Sequence, residues 1–285
     1  MAAKLASLSV TAGLLLASAL AFASLAANES ASIPNFAPNS VTGWVPDRPA
    51  GDDFLPPPSG PGPVVSTKDH PYQPNAGTAG QSTFRVADLN NPILKPWAIE
   101  QMRKANEEVL AGKIPFTARE RCWPGGVPLI DIYERDRPIY FMQTPKEVLI
   151  VTEHDAQVRH VYMNVPHSPR PKTSWYGESV GHYEGETLVV DTVGMNDKSF
   201  VDNYRTPHTT QIHVVERFRL VDGGKTLEAL IRVEDQGAFN MPWSAVQRWR
   251  RREGNPILEL VCAENSRGYF GYDVKPIPQA AKPDF

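Results

Sequence analysis

The stretch VVERFRLVDGGKTLEALIRVED, residues 214–235, constrains the fold more than any other part of this 285-residue chain. A two-residue turn at Gly223-Gly224 sets Asp222 against Lys225, and the register of a β-hairpin follows. Arg219 then stands opposite Glu228 and His213 opposite Glu234 on one face. Leu220–Leu227, Phe218–Ala229 and Val214–Val233 pair on the other. Opposite charges outside and apolar pairs inside are what a sheet with one wet and one buried face requires.

Two further hairpins are legible. In SWYGESVGHYEGETLVVDT, residues 174–192, Gly185-Glu186 turns GHYE back onto TLVVDT and sets Ser179 opposite Thr192. In WSAVQRWRRREGNPILELVCAEN, residues 243–265, a turn near Gly254-Asn255 sets Arg250 opposite Glu259, Trp249 opposite Leu260 and Gln247 opposite Cys262. YFMQ, EVLIVTE and VRHVYMNV, between residues 140 and 165, add short β-branched and aromatic runs. Upstream, Pro92 and Pro96 offer helix starts, and Ile99, Met102, Ala105, Val109 and Leu110 form one apolar stripe ending before Gly112. The expected fold is therefore mainly β: a curved antiparallel sheet, closed or partly closed as a barrel, with one helix over about residues 92–111. A β-sandwich is the alternative.

The N-terminus reads differently. Lys4 precedes LSVTAGLLLASALAFASLA, an apolar run ending in small residues, which is the layout of a secretory signal peptide over residues 1–27. The run is rich in Ala and Ser and short for a bilayer span of ~20 strongly apolar residues, so no stable membrane insertion is expected after cleavage. Periplasmic or secreted location follows. Residues 28–87, crowded with Pro, Gly, Ser and Asn, read as an extended linker wrapping the domain, with Trp44 and Phe54 as anchors, and residues 88–285 as one β-rich domain. In an oxidising compartment Cys122 and Cys262 are a natural disulfide pair worth ~4–5 kcal/mol in the chain-entropy model; two buried free thiols are the alternative. A net charge of -3 without a long basic block argues against nucleic acid as a partner.

GESVG at residues 177–181 fits G-x-S-x-G, the pattern that carries a nucleophilic serine in esterases. That serine needs a buried strand before it and a helix after it. Here HSPRPKTSWY precedes and a hairpin follows, so Ser179 reads as structural. W-x-G-E-S-x-G-x-Y-E-G-E-T-L-V-V-D-T instead resembles the signature of a family of exported, mostly uncharacterised proteobacterial proteins. CWPGGVP at 122–128, FMQTPKEVLIVTE at 141–153, HVVERF at 213–218, VEDQGAFNMPW at 233–243 and CAEN at 262–265 resemble it too, so the likeness covers about residues 114–267. It implies no particular activity, and it implies that both cysteines belong to the shared pattern. His182 stands where relatives carry Arg.

Several acids fall on apolar faces: Glu216 between Val214 and Phe218, Asp235 opposite Ile212, and Glu264 opposite Ala245. Asp191 shares a face with Val189, His182 and Glu184. A carboxylate in an apolar interior is costly unless paired, and converging acids shift one another's pKa values as acid–base catalysis requires. Arg159, Arg217, Arg232 and Arg248 are the cations available to pair with them. His167 and His208, each beside a proline in a loop at the barrel mouth, are the histidines to join Glu216, Asp235 and Glu264 as acid–base groups. Trp175, Asp191, Trp243 and Trp249 are the expected pocket lining. Glu153, His154, His160 and His167 match no compact zinc spacing, so neither metal nor cofactor is expected. Two functions follow. One is a metal-independent lyase, isomerase or hydrolase acting on an apolar or aromatic small molecule inside the barrel. The other is a non-catalytic carrier.

Overall fold

A computed structural model describes residues 33–39, 42–47, 53–63, 86–111, 122–132, 137–153, 158–254 and 257–259. The strands are β1 (Thr42–Pro46), β2 (Ile139–Gln143), β3 (Glu147–Thr152), β4 (Val158–Met163), β5 (Glu178–Glu184), β6 (Thr187–Val193), β7 (His213–Val221), β8 (Thr226–Glu234) and β9 (Trp243–Glu253). They pair in chain order and close, β9 onto β1, into a barrel. The helix α1 spans Pro96–Leu110. Among the described residues, no helix is long and apolar enough to cross a membrane.

The hairpin registers explain most of the wall. β7 and β8 pair from His213↔Glu234 to Val221↔Thr226, and β5 and β6 from Glu178↔Val193 to Glu184↔Thr187. Period-two alternation sends Val214, Glu216 and Phe218 inward on β7, and Trp243, Ala245, Gln247 and Trp249 inward on β9. In α1, Ala98, Met102 and Val109 face the core, whereas Leu110 is exposed at the frayed end.

Three differences from the sequence reading matter. First, residues 42–46 are not linker: they form β1, which seals the barrel between β2 and β9. Trp44 is fully buried, its indole N–H donating to Phe36 O at 2.9 Å. Composition misleads here because the ends of the open sheet supply the apolar surface and hydrogen bonds that this proline-rich segment lacks. Second, β9 does not turn back to pair Arg250 with Glu259. Its two edges are taken by β8 and β1, Arg250 lying between Thr226 and Val45. Third, the sheet is not wholly antiparallel, since β4 and β5 run parallel. A parallel pair cannot be joined by a tight turn and needs a long crossover. Residues 164–177 supply it, and Pro166, Pro169 and Pro171 keep it from becoming a helix.

Aromatic rings pack together in the barrel interior. Phe36, Phe141, Phe218 and Trp249 form a chain of ring contacts at centroid separations of 5.0, 5.4 and 6.2 Å. Trp243 packs edge-on against Phe239 at 5.7 Å. Trp243 and Trp249 are therefore members of the buried aromatic core, at 2% and 0% exposure.

Candidate functional site

Four neighbouring strands aim polar side chains into the apolar interior. Arg159 on β4 donates from Nη1 to Glu216 Oε1 on β7 (2.9 Å) and from Nη2 to the second Glu216 oxygen. Nη2 also reaches Thr192 Oγ1 on β6 (2.9 Å), and Nε reaches Ser179 Oγ on β5 (3.2 Å). Ser179 and Thr192 hydroxyls are 2.9 Å apart. Arg159 is 1% and Glu216 0% exposed, so this ion pair survives burial only because its remaining hydrogen-bonding capacity is satisfied by the two hydroxyls.

Asp131, in the helical turn Leu129–Asp131, joins the pair from inside. Burial, and then the charge of Glu216, push its carboxyl well above the usual carboxylate range, with Arg159 opposing. Oδ2 is buried without a donor. Two adjacent carboxyls cannot both ionise cheaply, which is why Asp131 is raised while Glu216 pairs with Arg159. Gln247 Nε2 donates to the Asp131 carbonyl at 3.1 Å and fixes the turn.

This network answers the G-x-S-x-G question. Ser179 is 2% exposed, its hydroxyl engaged by Thr192 and Arg159, and among the described residues no histidine hydrogen-bonds it. The flanking glycines serve close approach. A Cβ on Gly177 would lie 2.3 Å from Val193 O, and one on Gly181 would lie 2.8 Å from Val161 Cγ1.

On the outer face of the same strands the crossover 164–177 is pinned by a second cluster. His167 places Nε2 2.9 Å from Asp191 Oδ1 and Nδ1 3.1 Å from Glu178 Oε1. His213 Nε2 meets the same Asp191 oxygen at 2.8 Å. The Ser168 amide donates to Glu178 Oε1 at 2.6 Å, and its hydroxyl donates to the other oxygen. Burial alone would raise the Asp191 carboxyl, but the hydrogen bonds from His213 and His167 hold it below its ordinary value. The hydrogen bond to Asp191 raises His213. Glu178 is lowered chiefly by the Ser168 hydroxyl.

Beneath this crossover lies a cleft of about 530 Å³. β4 and β5 are joined over only Val161↔Ser179, Tyr162↔Val180 and Met163↔Gly181, so the wall opens beyond them. The outer side chains of β4, Val158, His160 and Tyr162, form one side. Arg170, Lys172, Trp175 and Tyr176 from the crossover form the other, and Ser179 is at the floor. Trp175 is braced by Trp123, ring centroids 5.1 Å apart. His160 Nδ1 lies 2.6 Å from Glu147.

The residues singled out in the sequence separate into distinct settings. Glu216 sits in the buried network, paired with Arg159 of the four arginines available. Asp235 is buried and organises loops, accepting from Thr209 N (2.6 Å), Thr209 Oγ1 (2.8 Å), Gly237 N (2.8 Å) and Ala238 N (3.2 Å). His208 is not exposed at a barrel mouth: it is 1% exposed, and burial lowers its pKa. Its Nδ1 donates to Thr209 O (3.1 Å), leaving Nε2 to accept from Ser199 (3.0 Å). His167, Asp191 and Trp175 gather at the crossover. Glu264, Cys262 and His154 lie outside the described residues. Among the described residues, no group of three or more His, Cys, Asp or Glu side chains is arranged to hold a metal ion. Asp131, Arg170, Lys172 and Tyr176 were not picked out from the sequence. Nothing in their local patterns marks them, because a turn and a crossover carry no periodicity.

No family model and no curated protein match the chain. Among solved structures, a protein described as the REP1-NXSQ fatty acid transporter aligns with a TM-score of 0.27 and 7% identity, over 42% of this chain and 73% of that one. So low a score carries no argument about what this barrel binds.

Proposed function

We propose that the protein is an exported small-molecule-binding protein whose site is the outer cleft under residues 164–177, taking an aromatic or apolar compound. One observation carries this reading. The cleft, about 530 Å³, falls in the ~300–1,000 Å³ range of ligand sites and combines aromatic walls with a few polar groups. Its floor rests on the buried Arg159–Glu216–Ser179–Thr192 network, which gives the preorganisation that binding needs. Export rests on the signal-peptide pattern of residues 1–27, and with it comes a Cys122–Cys262 bridge.

A second reading, acid–base catalysis, is favoured by Asp131, whose buried carboxyl is pushed well above the usual carboxylate range by burial and by Glu216. Reach counts against it: Glu216 is wholly buried and committed to Arg159, and a general base must touch the proton it takes. Thermal-shift screening with aromatic, terpenoid and sugar-derived compounds, followed by mass analysis of each hit, separates the two. A recovered, unchanged ligand whose protection is lost in Trp175→Ala supports binding; a converted ligand establishes the enzyme. Hits that protect Trp175→Ala as well as the parent overturn the cleft assignment. Non-reducing peptide mapping that finds both thiols free removes the bridge.

A further inference from the structure

We infer that the cleft selects an anion, specifically an aromatic carboxylate. This deepens the cleft reading and rests on it. The charge balance of the lining is the first argument. Arg170 and Lys172 both face the cleft, and neither has an ion pair or hydrogen bond among the described residues. The one lining carboxylate, Glu178, has its oxygens occupied by Ser168 and by His167, which pull its pKa down and hold it as a satisfied anion. His160 leans on Glu147. The nearest buried ion pair cancels, since Arg159 is matched by Glu216. What is left over is cationic, in a protein whose net charge is -3. Several exposed arginines elsewhere find acids: Arg103, Arg217, Arg219, Arg232, Arg248 and Arg251 all do. Lys146, Lys198, Lys225 and Arg250 pair with no acid among the described residues either, but Arg170 and Lys172 lie together in one cleft.

Shape supplies the second argument. Tyr162, Trp175 and Tyr176 line the same space, an aromatic setting suited to a planar apolar body. Ser168 and Ser174 line it as well. A guanidinium and an ammonium facing the cleft suit the charge and fork geometry of a carboxylate, leaving the ring to the aromatic side.

Isothermal titration of the full chain with 2-naphthoate, 2-naphthamide and 2-naphthalenemethanol tests this. The acid is expected to bind about tenfold or more tighter than its neutral isosteres, as a charge-assisted hydrogen bond should provide. Arg170→Gln/Lys172→Gln, both at exposed positions, should erase that preference, the acid then binding no tighter than its neutral isosteres. If the amide or alcohol binds as tightly as the acid, the anion inference fails and the cleft reading stands. If the acid keeps its advantage in the double variant, the cations are not its recognition groups and the inference fails too. If none of the three binds and the wider screen also finds no ligand lost in Trp175→Ala, the cleft reading itself falls.

Discussion

Arg159 decides how the interior acid of β7 is used. A guanidinium buried at 1% exposure with a carboxylate at 0% makes each partner costly to remove, because the survivor stays charged and out of water. Arg159→Met should therefore cost about 3–5 kcal/mol, leaving Glu216 beside Asp131 with no counter-ion. Glu216→Gln should cost less, since the neighbouring Asp131 carboxyl is then free to ionise and replace the lost charge. Ser179→Ala removes one hydrogen bond among several and should cost about 1 kcal/mol, with ligand binding nearly intact. Urea denaturation at neutral pH gives the order directly. A cost for Ser179→Ala larger than that for Arg159→Met would contradict the network, and loss of function in a folded Ser179→Ala protein would reopen the nucleophile question.

At the scale of elements, the crossover 164–177 is what a parallel strand pair demands, and its docking is electrostatic. His213 is raised by its bond to Asp191, so its contribution is complete below the unfolded value of ~6.5 and fades as pH rises through the higher folded value. Asp191 is lowered, so its contribution is complete above ~3.9 and fades as pH falls through its depressed folded value. The His213–Asp191 contact between β7 and β6 should thus contribute most at mildly acidic pH. Denaturant unfolding of the parent protein and of Asp191→Asn across pH 4–9 measures it: the stability difference between the two should shrink above neutrality as His213 loses its proton. A difference that keeps growing through pH 8 would show that this pair does not contribute as an ion pair.

On the scale of the whole molecule, closure depends on a segment of poor intrinsic propensity. β1 covers two strand edges, those of β2 and β9, that would otherwise present unpaired backbone groups and invite aggregation. Trp44 anchors it at zero exposure. Trp44→Ala should destabilise the fold by about 3–5 kcal/mol, the usual cost of emptying a large aromatic site, and should increase self-association. Denaturation midpoints together with light scattering measure both. A Trp44→Ala protein as stable and as monodisperse as the parent would mean that β1 contributes little to closure.

The sequence by itself determined two of the three hairpins read from it. In β5–β6 and β7–β8 the alternation of apolar and charged residues and the position of a glycine turn specify register locally, so Ser179 opposite Thr192 and Arg219 opposite Glu228 could be read residue by residue. It also marked Glu216 as an inward acid, since period two leaves no other face for it. Tertiary structure alone decided the rest, because each remaining decision depends on what lies across space. Arg159 is one of four arginines until the barrel brings β4 beside β5–β7. Residues 42–46 are a proline-rich tract until two sheet edges need a strand between them. Trp243 and Trp249 are isolated aromatic positions until the fold packs them with Phe54, Phe239 and Phe218 into one core. The cleft lies outside the barrel because a parallel pairing of β4 with β5, which no local pattern announces, forces the chain over the outer wall.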